Sequence, residues 1–433
     1  MDKVIHWFGT KRGALAWLWG LFIVPRLALV LLGVEPTSDA AWYYSRAEKL
    51  AAGLGYLGDH GAPTAYWPVG WPLSLSVPFS LFGASPLVVG LFNLGTAVLG
   101  GWLLYDLARR IGGSELAART ALLLFAVYPN AIAYVPLALT EVFYTTLLLA
   151  ICWLLVGNRK AWALVLAGLL LGLATLVKAQ TLVVVPLILG IELLGKEGFW
   201  RRLPAACAKF AALIALAALV VAPWTIRNHR ELGHWVAVST NGGATLLASN
   251  NDTARGDFTP QDPTFAAYDA RKGGDEVLHD AEGKALGMAW IKAHPVRFVQ
   301  LIPLKLFRLW GPDGEGEWAY QGGYPRYGEF ETTFRAVRLA NQGYYVLLLL
   351  GFAIAALVQL MRRWKAPKRP GVRLIGWWAL PYGIAAYPSG IAVVFSGQSR
   401  FHYPVMPFVC LACGWLLADC WVRRRTAELA AIA

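Results

Sequence analysis

The sequence has few charged residues for its length, and this scarcity excludes most classes of soluble protein. Of its 433 residues, 15% are charged and 57% are hydrophobic, and the mean hydropathy is +0.49. A soluble domain carries about 25% charged residues, which it needs to cover its exterior. The chain is therefore not a soluble enzyme, a secreted disulfide scaffold or a disordered protein. Its long apolar stretches indicate a multi-spanning membrane protein.

Motifs for metals and nucleotides are also missing from the sequence. No histidine or acidic cluster has recognised ligand spacing, and the apolar segments contain neither GxGxxG nor GxxxxGK[ST], so a nucleotide-sugar donor is not expected. No cofactor is predicted, while a divalent metal is left open. The cysteines lie in apolar segments without metal-site spacing and are interpreted as small core residues; they are Cys152, Cys207, Cys410, Cys413 and Cys420.

What the sequence does contain is a series of apolar stretches of about the length needed to cross a bilayer. Ten are predicted, at residues 13–34, 86–108, 116–138, 141–157, 161–178, 180–195, 204–224, 341–360, 373–395 and 404–422. We therefore predict an all-α polytopic membrane protein with about ten transmembrane helices. Extracytoplasmic amphipathic or re-entrant helices and a mixed extracytoplasmic loop region complete the predicted architecture.

The charges are sorted by side of the membrane. With a cytoplasmic N-terminus every predicted inner segment is basic, as the positive-inside rule requires. The surplus of 13 positive charges is thus explained by the orientation of the chain in the membrane. No nucleic-acid partner is predicted, because nucleic-acid binding needs basic residues gathered on one solvated face. The inner residues are Lys3, Lys11, Arg12, Arg109, Arg110, Arg159, Lys160, Lys196, Arg201, Arg202, Arg362, Arg363, Lys365, Lys368, Arg369, Arg373 and Arg423 to Arg425.

The acidic residues lie on the opposite side. Residues 35–85 and 225–340 hold 18 of the 26 Asp and Glu residues, so polar chemistry is expected outside. This predicts three parts. Residues 1–224 form an N-terminal transmembrane module whose first external loop (35–85) carries the chemistry, residues 225–340 form an extracytoplasmic region, and residues 341–433 form C-terminal transmembrane helices.

Three stretches of the external segments have predictable structure. An amphipathic helix from Asp39 is expected to lie in the interface, with Trp42, Tyr43, Ala47 and Leu50 toward the membrane and Arg46, Glu48 and Lys49 toward water. The proline-interrupted stretch 67–79 is predicted to be re-entrant or surface-lying, because it is too short to span. The stretch 276–298 is predicted to be helical up to a break at Pro295 or beyond.

Two acidic residues are candidates for chemistry. Asp39 follows the first predicted span by about five residues, so its carboxylate could accept a proton from a sugar or lipid hydroxyl at the membrane–water boundary. The alternative is that Ser38 or Asp39 only caps the next helix. Glu141 lies between two apolar segments, where an ionisable residue is a functional candidate because leaving it unpaired is costly. Capping is again the alternative.

Cations accompany these acids on the outer side. Lys178 lies at a turn between apolar runs, Arg227 follows a Pro-Trp pair, and Arg400 and His402 precede the last span. Such cations at headgroup depth could bind a lipid phosphate through charge-assisted hydrogen bonds. Lys305 and Arg308 share a helix face, and snorkelling to the interface is the favoured interpretation for them.

The order of these motifs resembles that of the GT-C glycosyltransferases, in particular bacterial relatives of protein mannosyltransferases and of the lipid A aminoarabinose transferase. The resemblance runs over nearly the whole chain. It rests on SDAAWYY (38–44), YWPVGWPL (66–73), LTE (139–141), LVK (176–178), PWTIRN (223–228), STNGG (239–243) and SRFHYPVMP (399–407).

The resemblance implies a GT-C-like fold and an inverting transfer of a sugar from a polyprenyl-phosphate donor to an extracytoplasmic glycan, lipid or protein. Asp39 would be the catalytic base. It further implies a bacterial inner-membrane protein with its active site on the periplasmic side. The expected donor-phosphate residues are Lys178, Arg227, Arg400 and His402, and the expected cavity residues are Glu141, Tyr43, Tyr66, Trp67 and Asn241.

Three alternatives stay open at the level of the sequence. A polysaccharide ligase or polymerase would use the same donors and could share the topology. A lipid or sugar transporter is disfavoured because no internal repeat is visible and the polar residues gather at one face. A noncatalytic membrane scaffold is disfavoured by the acids and cations that occur together at one depth.

Overall fold

The protein is described by a computed structural model that covers residues 7–157, 160–314, 316–365 and 375–432. Within these ranges the chain is helical and contains no β-strand, apart from one isolated bridge between Leu57 and Pro63. Lys3, Arg159, Lys368, Arg369 and Arg373, which were predicted to face the cytoplasm, lie outside the described ranges, as does the beginning of the predicted span 373–395.

The α-helices are numbered in chain order, beginning with the helix at Arg12. The first ten are α1 Arg12–Val30, α2 Asp39–Ala51, α3 Gly70–Phe82, α4 Pro86–Gly112, α5 Glu115–Ala126, α6 Pro129–Ala133, α7 Glu141–Leu155, α8 Ala161–Val177, α9 Val184–Leu194 and α10 Phe199–Leu232. The remaining helices are α11 Gly242–Ser249, α12 Pro263–Asp269, α13 Glu276–Ala293, α14 Pro295–Trp310, α15 Glu317–Gly323, α16 Glu331–Lys365, α17 Leu380–Val394 and α18 Met406–Ile432. Short 3-10 helices lie at Ala179–Val183, Tyr327–Phe330, Trp377–Ala379 and Ser399–Val405.

Helices long and apolar enough to cross a membrane number five in the described part of the chain. They are Arg12–Val30, Pro86–Gly112, Phe199–Leu232, Tyr327–Lys365 and Ser399–Glu428. Shorter apolar helices are Glu141–Leu155, Ala161–Val177 and Ala179–Leu194. The predicted all-α membrane architecture is confirmed, while the count of ten spans stays a prediction.

One predicted span is wrong as a continuous helix. Residues 116–138 form α5, a break at Val127 and Tyr128, and the five-residue α6, followed by turns up to Thr140. Pro129 explains the break, because proline disfavours a helical conformation at the preceding residue and starts a new helix well. By contrast, the predicted break near Pro295 is confirmed, since α13 ends at Ala293 and α14 begins at Pro295.

Small residues allow the long helices to approach each other closely. A Cβ atom added at Gly168 or Gly172 of α8 would meet Leu216 or Val220 of α10 at 2.5–2.6 Å. One added at Gly414 of α18 would lie 2.6 Å from the backbone nitrogen of Ala121 in α5. Glycine at such positions lets helix backbones pack tightly, as is common between membrane helices.

Two predicted orientations of basic side chains are wrong. Arg46 of α2 does not face water but is 2% exposed, because its guanidinium lies 4.3 Å from the centroid of the Trp42 ring and bonds Asp59 at 2.6 Å. Lys305 of α14 does not snorkel but is fully buried. Its Nζ donates to Asn250 Oδ1 at 2.8 Å, so a buried amide oxygen replaces water as its partner.

Candidate active site

The candidate site is a cavity of about 410 Å³, which we call the inner cavity, where the beginnings of α2 and α7 face the end of α8 and the 3-10 helix Ser399–Val405. Eight of the ten candidate residues from the sequence line this cavity. They are Asp39, Tyr43, Tyr66, Trp67, Glu141, Lys178, Asn241 and Arg400.

Asp39 forms an ion pair with Arg400 across the inner cavity. Arg400 Nη1 donates to Asp39 Oδ2 at 2.6 Å, and Arg400 Nε donates to Gln398 Oε1 at 3.0 Å. Ser38 precedes α2 with a φ of 50° and makes no side-chain capping bond. The Asp39 carboxylate thus points across the fold to a partner 361 residues away, and it remains about a quarter exposed.

Glu141 and Lys178 form a second acid–cation pair in the same cavity. Lys178 Nζ donates to Glu141 Oε1 at 3.3 Å, and the glutamate side chain is 2% exposed. Glu141 is the first residue of α7, where the positive end of the helix dipole favours a carboxylate. Its second oxygen, Oε2, is buried and has no hydrogen-bond partner, which is rare for a buried polar atom and requires an explanation.

Aromatic residues form the wall of the inner cavity next to Asp39. The ring centroids of Tyr43 and Trp67 are 4.9 Å apart, and the rings of Tyr66 and Trp67 are stacked at an interplanar angle of 19°. Burial and nearby carboxylates raise the pKa of Tyr66 to about 12. Its phenol therefore keeps its proton at neutral pH and can donate a hydrogen bond to a ligand.

A second, more apolar groove of about 350 Å³ continues from the inner cavity. Lys178 and Asn241 line both spaces, together with Phe401. Farther on, the groove is lined by side chains of α17, among them Tyr387, Ile391 and Phe395 next to its end. A polar cavity with ion pairs thus opens into an apolar groove, an arrangement that fits an amphipathic ligand.

Arg227 and His402 do not line the inner cavity. Arg227 in α10 donates to the backbone oxygens of Thr64 and Tyr56, both at 2.8 Å, so its guanidinium holds the loop before α3. His402 is fully buried. Its ring nitrogens lie 2.5 Å from the Leu309 oxygen and 3.0 Å from Asp313 Oδ1. In this structure both side chains have structural partners, although the sequence suggested donor-phosphate contacts for them.

Several cavity residues were missed by sequence reasoning. Gln398 bonds Arg400 and lines the cavity together with Thr140, Gln180 and Ser396. These side chains are uncharged and belong to no recognised spacing, so the only available signal was their nearness in sequence to Glu141, Lys178 and Arg400. Among the described residues no group of three or more His, Cys, Asp or Glu side chains could hold a metal ion.

The chain is a helical membrane protein, and its fold is similar to that of solved oligosaccharyltransferase structures, in agreement with the predicted GT-C-like architecture. AglB, the oligosaccharyltransferase of Archaeoglobus fulgidus, in complex with an inhibitory peptide and a dolichol-phosphate matches with a TM-score of 0.54 at 13% identity, over 97% of this chain and 52% of that one. An Archaeoglobus fulgidus oligosaccharyltransferase in complex with zinc and sulfate matches with a TM-score of 0.53 at 15% identity, over 95% of this chain and 51% of that one. The chain spans about half the length of these oligosaccharyltransferase chains.

At the level of sequence, residues 68–226 match the family described as dolichyl-phosphate-mannose-protein mannosyltransferase. No curated protein matches the chain. ArnT from Cupriavidus metallidurans bound to undecaprenyl phosphate aligns with a TM-score of 0.49 at 14% identity, over 94% of this chain and 77% of that one. The chain is thus similar to GT-C membrane glycosyltransferases of the protein mannosyltransferase type.

Proposed function

We propose that the protein is an inverting glycosyltransferase that moves a sugar from a polyprenyl-phosphate donor to an extracytoplasmic acceptor. The observation that carries this proposal is the meeting of the Asp39–Arg400 and Glu141–Lys178 pairs in one cavity that continues into an apolar groove. Similarity to a mannosyltransferase family over residues 68–226, and to an oligosaccharyltransferase fold with bound dolichol-phosphate, supports the same function.

Donor binding divides between the groove and the cavity. The apolar groove takes the first part of the polyprenyl chain, because burying its methylene and methyl groups is favourable. The phosphate then lies at the junction of the two spaces, which Lys178 lines from both sides. Lys178 and Arg400 supply charge-assisted hydrogen bonds to it, and Asn241 contributes a neutral amide nearby.

The chemical step uses Asp39 as the base. Its carboxylate accepts the proton of the acceptor hydroxyl while the acceptor oxygen forms a bond to the anomeric carbon of the donor. The bond from that carbon to the phosphate oxygen breaks, and its electron pair leaves with the polyprenyl phosphate, inverting the configuration. The cations stabilise the charge that develops on the leaving phosphate, and the base contributes about 10²–10⁴-fold to the rate.

The proposal also includes the location of the protein and the part of the chain that contributes each residue of the site. The protein lies in the bacterial inner membrane with its site on the periplasmic side, and it transfers a hexosyl or pentosyl unit. The N-terminal part (1–224) contributes Asp39, Glu141 and Lys178, the extracytoplasmic part (225–340) contributes Asn241, and the C-terminal part (341–433) contributes Arg400.

The test replaces Asp39 by Asn, which keeps the side-chain size and removes the base. With a panel of undecaprenyl-phosphate hexoses and pentoses and a cell-envelope acceptor fraction, we expect Asp39→Asn to slow release of undecaprenyl phosphate by about 10²–10⁴-fold. Glu48→Gln is the matched control, since Glu48 is an exposed acid of the same helix, and it should retain wild-type turnover. Wild-type turnover in Asp39→Asn would remove this residue from the mechanism.

A further inference from the structure

A second, larger cavity adjoins the candidate active site. This outer cavity has a volume of about 840 Å³ and lies between α2, the loop before α3 and the residues that lead into α13. Tyr66 and Trp67 line both the outer and the inner cavity. The two spaces therefore meet at these two rings, and Asp39 lies on the inner side of them. The volume falls within the range of about 300–1,000 Å³ that is typical of small-molecule sites.

The walls of the outer cavity offer flat aromatic surfaces. Trp42, Tyr66 and Trp67 line it, and the centroids of the Trp42 and Trp67 rings are 4.8 Å apart. Large rigid aromatic side chains provide contact area at a small cost in conformational entropy. The apolar C–H face of a sugar ring can pack on such rings, while its hydroxyl groups need polar partners at the edges.

Polar donors are available beside these rings. Lys272 Nζ lies 4.6 Å from the centroid of the Tyr66 ring, and Lys272 forms no salt bridge in the described structure. Arg46 also lines the outer cavity. Its side chain is almost completely enclosed and its guanidinium is paired with Asp59, so it is not free to bind a ligand. Lys272 is therefore the cation of this wall that a ligand can reach.

The charges around the outer cavity do not suit a polyanionic ligand. Its carboxylates are those of Asp59, Asp275 and Glu276, against the cations Arg46 and Lys272. Arg46 is already neutralised by Asp59, and Glu276 is held by bonds from Thr64 Oγ1 and the Ala65 nitrogen at 2.7 and 2.6 Å. Once the Arg46–Asp59 pair is set aside, the carboxylates of Asp275 and Glu276 stand against the single cation Lys272, and this balance disfavours binding of a phosphate-rich or acidic glycan.

We propose that the outer cavity binds the acceptor and that the acceptor is a neutral saccharide. This inference rests on the proposed glycosyl transfer. The acceptor sugars pack against Trp42, Tyr66 and Trp67, and the reacting hydroxyl reaches toward Asp39 at the boundary where Tyr66 and Trp67 line both cavities. There it loses its proton to the carboxylate as its oxygen bonds the anomeric carbon and the polyprenyl phosphate leaves with the electron pair.

The test measures saccharide binding by the full-length protein in nanodiscs, because glucoside and maltoside detergents would compete for such a site. The probes are the neutral trisaccharides mannotriose, maltotriose and chitotriose, the acidic trigalacturonate, and a Ser/Thr-rich decapeptide, each followed by saturation-transfer NMR. We expect at least one neutral trisaccharide to bind saturably, and trigalacturonate and the peptide not to bind.

Two variants locate the binding. Lys272→Ala removes an exposed donor. It should lower the affinity for the trisaccharide by about tenfold, as expected for loss of a hydrogen bond to a charged group. Trp42→Leu should lower the affinity for the trisaccharide by about tenfold as well, because an aromatic face is lost. Arg271→Ala is the matched control, because Arg271 is adjacent in sequence but pairs with Glu282 and does not line the cavity.

The outcomes separate this inference from the proposed function. If no neutral trisaccharide binds, if only the acidic saccharide or the peptide binds, or if Lys272→Ala and Arg271→Ala behave alike, the inference is wrong. Undecaprenyl phosphate is titrated into the same nanodisc samples. Its failure to bind, or wild-type turnover in Asp39→Asn, would count against glycosyl transfer instead, and trisaccharide binding at the outer cavity would then be unaffected.

Discussion

At the scale of single residues, the inner cavity contains two carboxylates and two cations, each tied to a partner of opposite charge. Removing one member of a partly buried pair leaves the other without compensation. An incoming phosphate adds negative charge, so Arg400 and Lys178 must share their donors between it and the carboxylates. Arg400 is suited to this, since its planar guanidinium carries five donors and uses two of them on Asp39 and Gln398.

We expect Arg400→Ala to weaken the binding of undecaprenyl phosphate by about 10- to 100-fold, the loss of a hydrogen bond between two charged groups. The measurement is a titration of the protein in nanodiscs, monitored by intrinsic tryptophan fluorescence. The matched variant is Arg227→Ala, in which the lost donors serve the Thr64 and Tyr56 carbonyl groups. It should lower the melting temperature and leave the affinity for the phosphate unchanged.

The opposite pattern would contradict this assignment. If Arg227→Ala lost affinity at an unchanged melting temperature while Arg400→Ala bound normally, the phosphate would have to lie against the loop before α3. The sequence could not separate the two arginines, because both precede or follow apolar segments at the same depth. What separates them is which oxygen atoms lie within hydrogen-bond distance of each guanidinium.

At the scale of helices, one close contact sets the position of Lys178. Gly70 begins α3, and a Cβ atom added there would lie 2.6 Å from the carbonyl carbon of Leu176. Leu176 stands at the end of α8, two residues before Lys178. Because the atoms in contact belong to the backbone, they cannot move aside by a rotamer change, and a larger residue at position 70 must displace the end of α8.

We therefore expect Gly70→Ala to destabilise the protein by about 1–3 kcal/mol, the usual cost of overpacking, and to weaken undecaprenyl phosphate binding through the displaced lysine. Gly95→Ala in α4 is the control, because a Cβ atom there meets nothing within 4 Å, and alanine favours a helix by about 1 kcal/mol over glycine. Thermal melting in nanodiscs measures the stability of both variants. A wild-type melting temperature in Gly70→Ala would show that the helices can separate at no cost.

Helix positions were predictable where apolar periodicity and proline signals agreed. The segments at 86–108 and 141–157 correspond to α4 and α7, and the break before Pro295 is present. The split between α5 and α6 was missed because hydropathy alone continues through Pro129. The burial of Arg46 and Lys305 was missed as well, since their partners Asp59 and Asn250 are brought close only by packing.

At the scale of the whole molecule, the buried carboxylate of Asp313 joins segments that lie far apart in the chain. Asp313 follows α14 and accepts hydrogen bonds from Tyr128 and Asn130, which lie at the start of α6, and from Asn341 of α16 and His402. His402 stands two residues from Arg400 in the same 3-10 helix. The cluster around Asp313 thus fixes the segment that presents Arg400 to the inner cavity.

We expect Asp313→Asn to destabilise the protein by about 3–5 kcal/mol, since it breaks a buried ion pair and leaves its partners unsatisfied. The exposed Asp269→Asn should change stability by less than about 0.5 kcal/mol. Melting temperatures of the two variants test this difference. Similar values for both would mean that the cluster around Asp313 contributes nothing to the stability of the folded protein.

Stability should also depend on pH through the same residue. Burial alone would raise the pKa of Asp313, but hydrogen bonds from His402, Tyr128 and Asn341 and the charge of His402 bring it below its ordinary value. A carboxyl group whose pKa is lowered in the folded state stabilises that state above its ordinary pKa of about 4. This contribution is lost as the pH falls through the lowered value. Melting temperatures measured at decreasing pH should fall in the wild type and fall less in Asp313→Asn.

Sequence patterns alone predicted an all-α membrane protein and eight of the residues that line the inner cavity. Apolar length and charge sorting are local properties that need no knowledge of the fold. The pairing of the charged residues, by contrast, follows from how the helices pack. Asp39 meets Arg400, whereas Arg227 and His402 hold the scaffold. The reason is physical: hydrogen bonds act over about 3 Å, and the packing of the helices brings together partners that lie hundreds of residues apart in the chain.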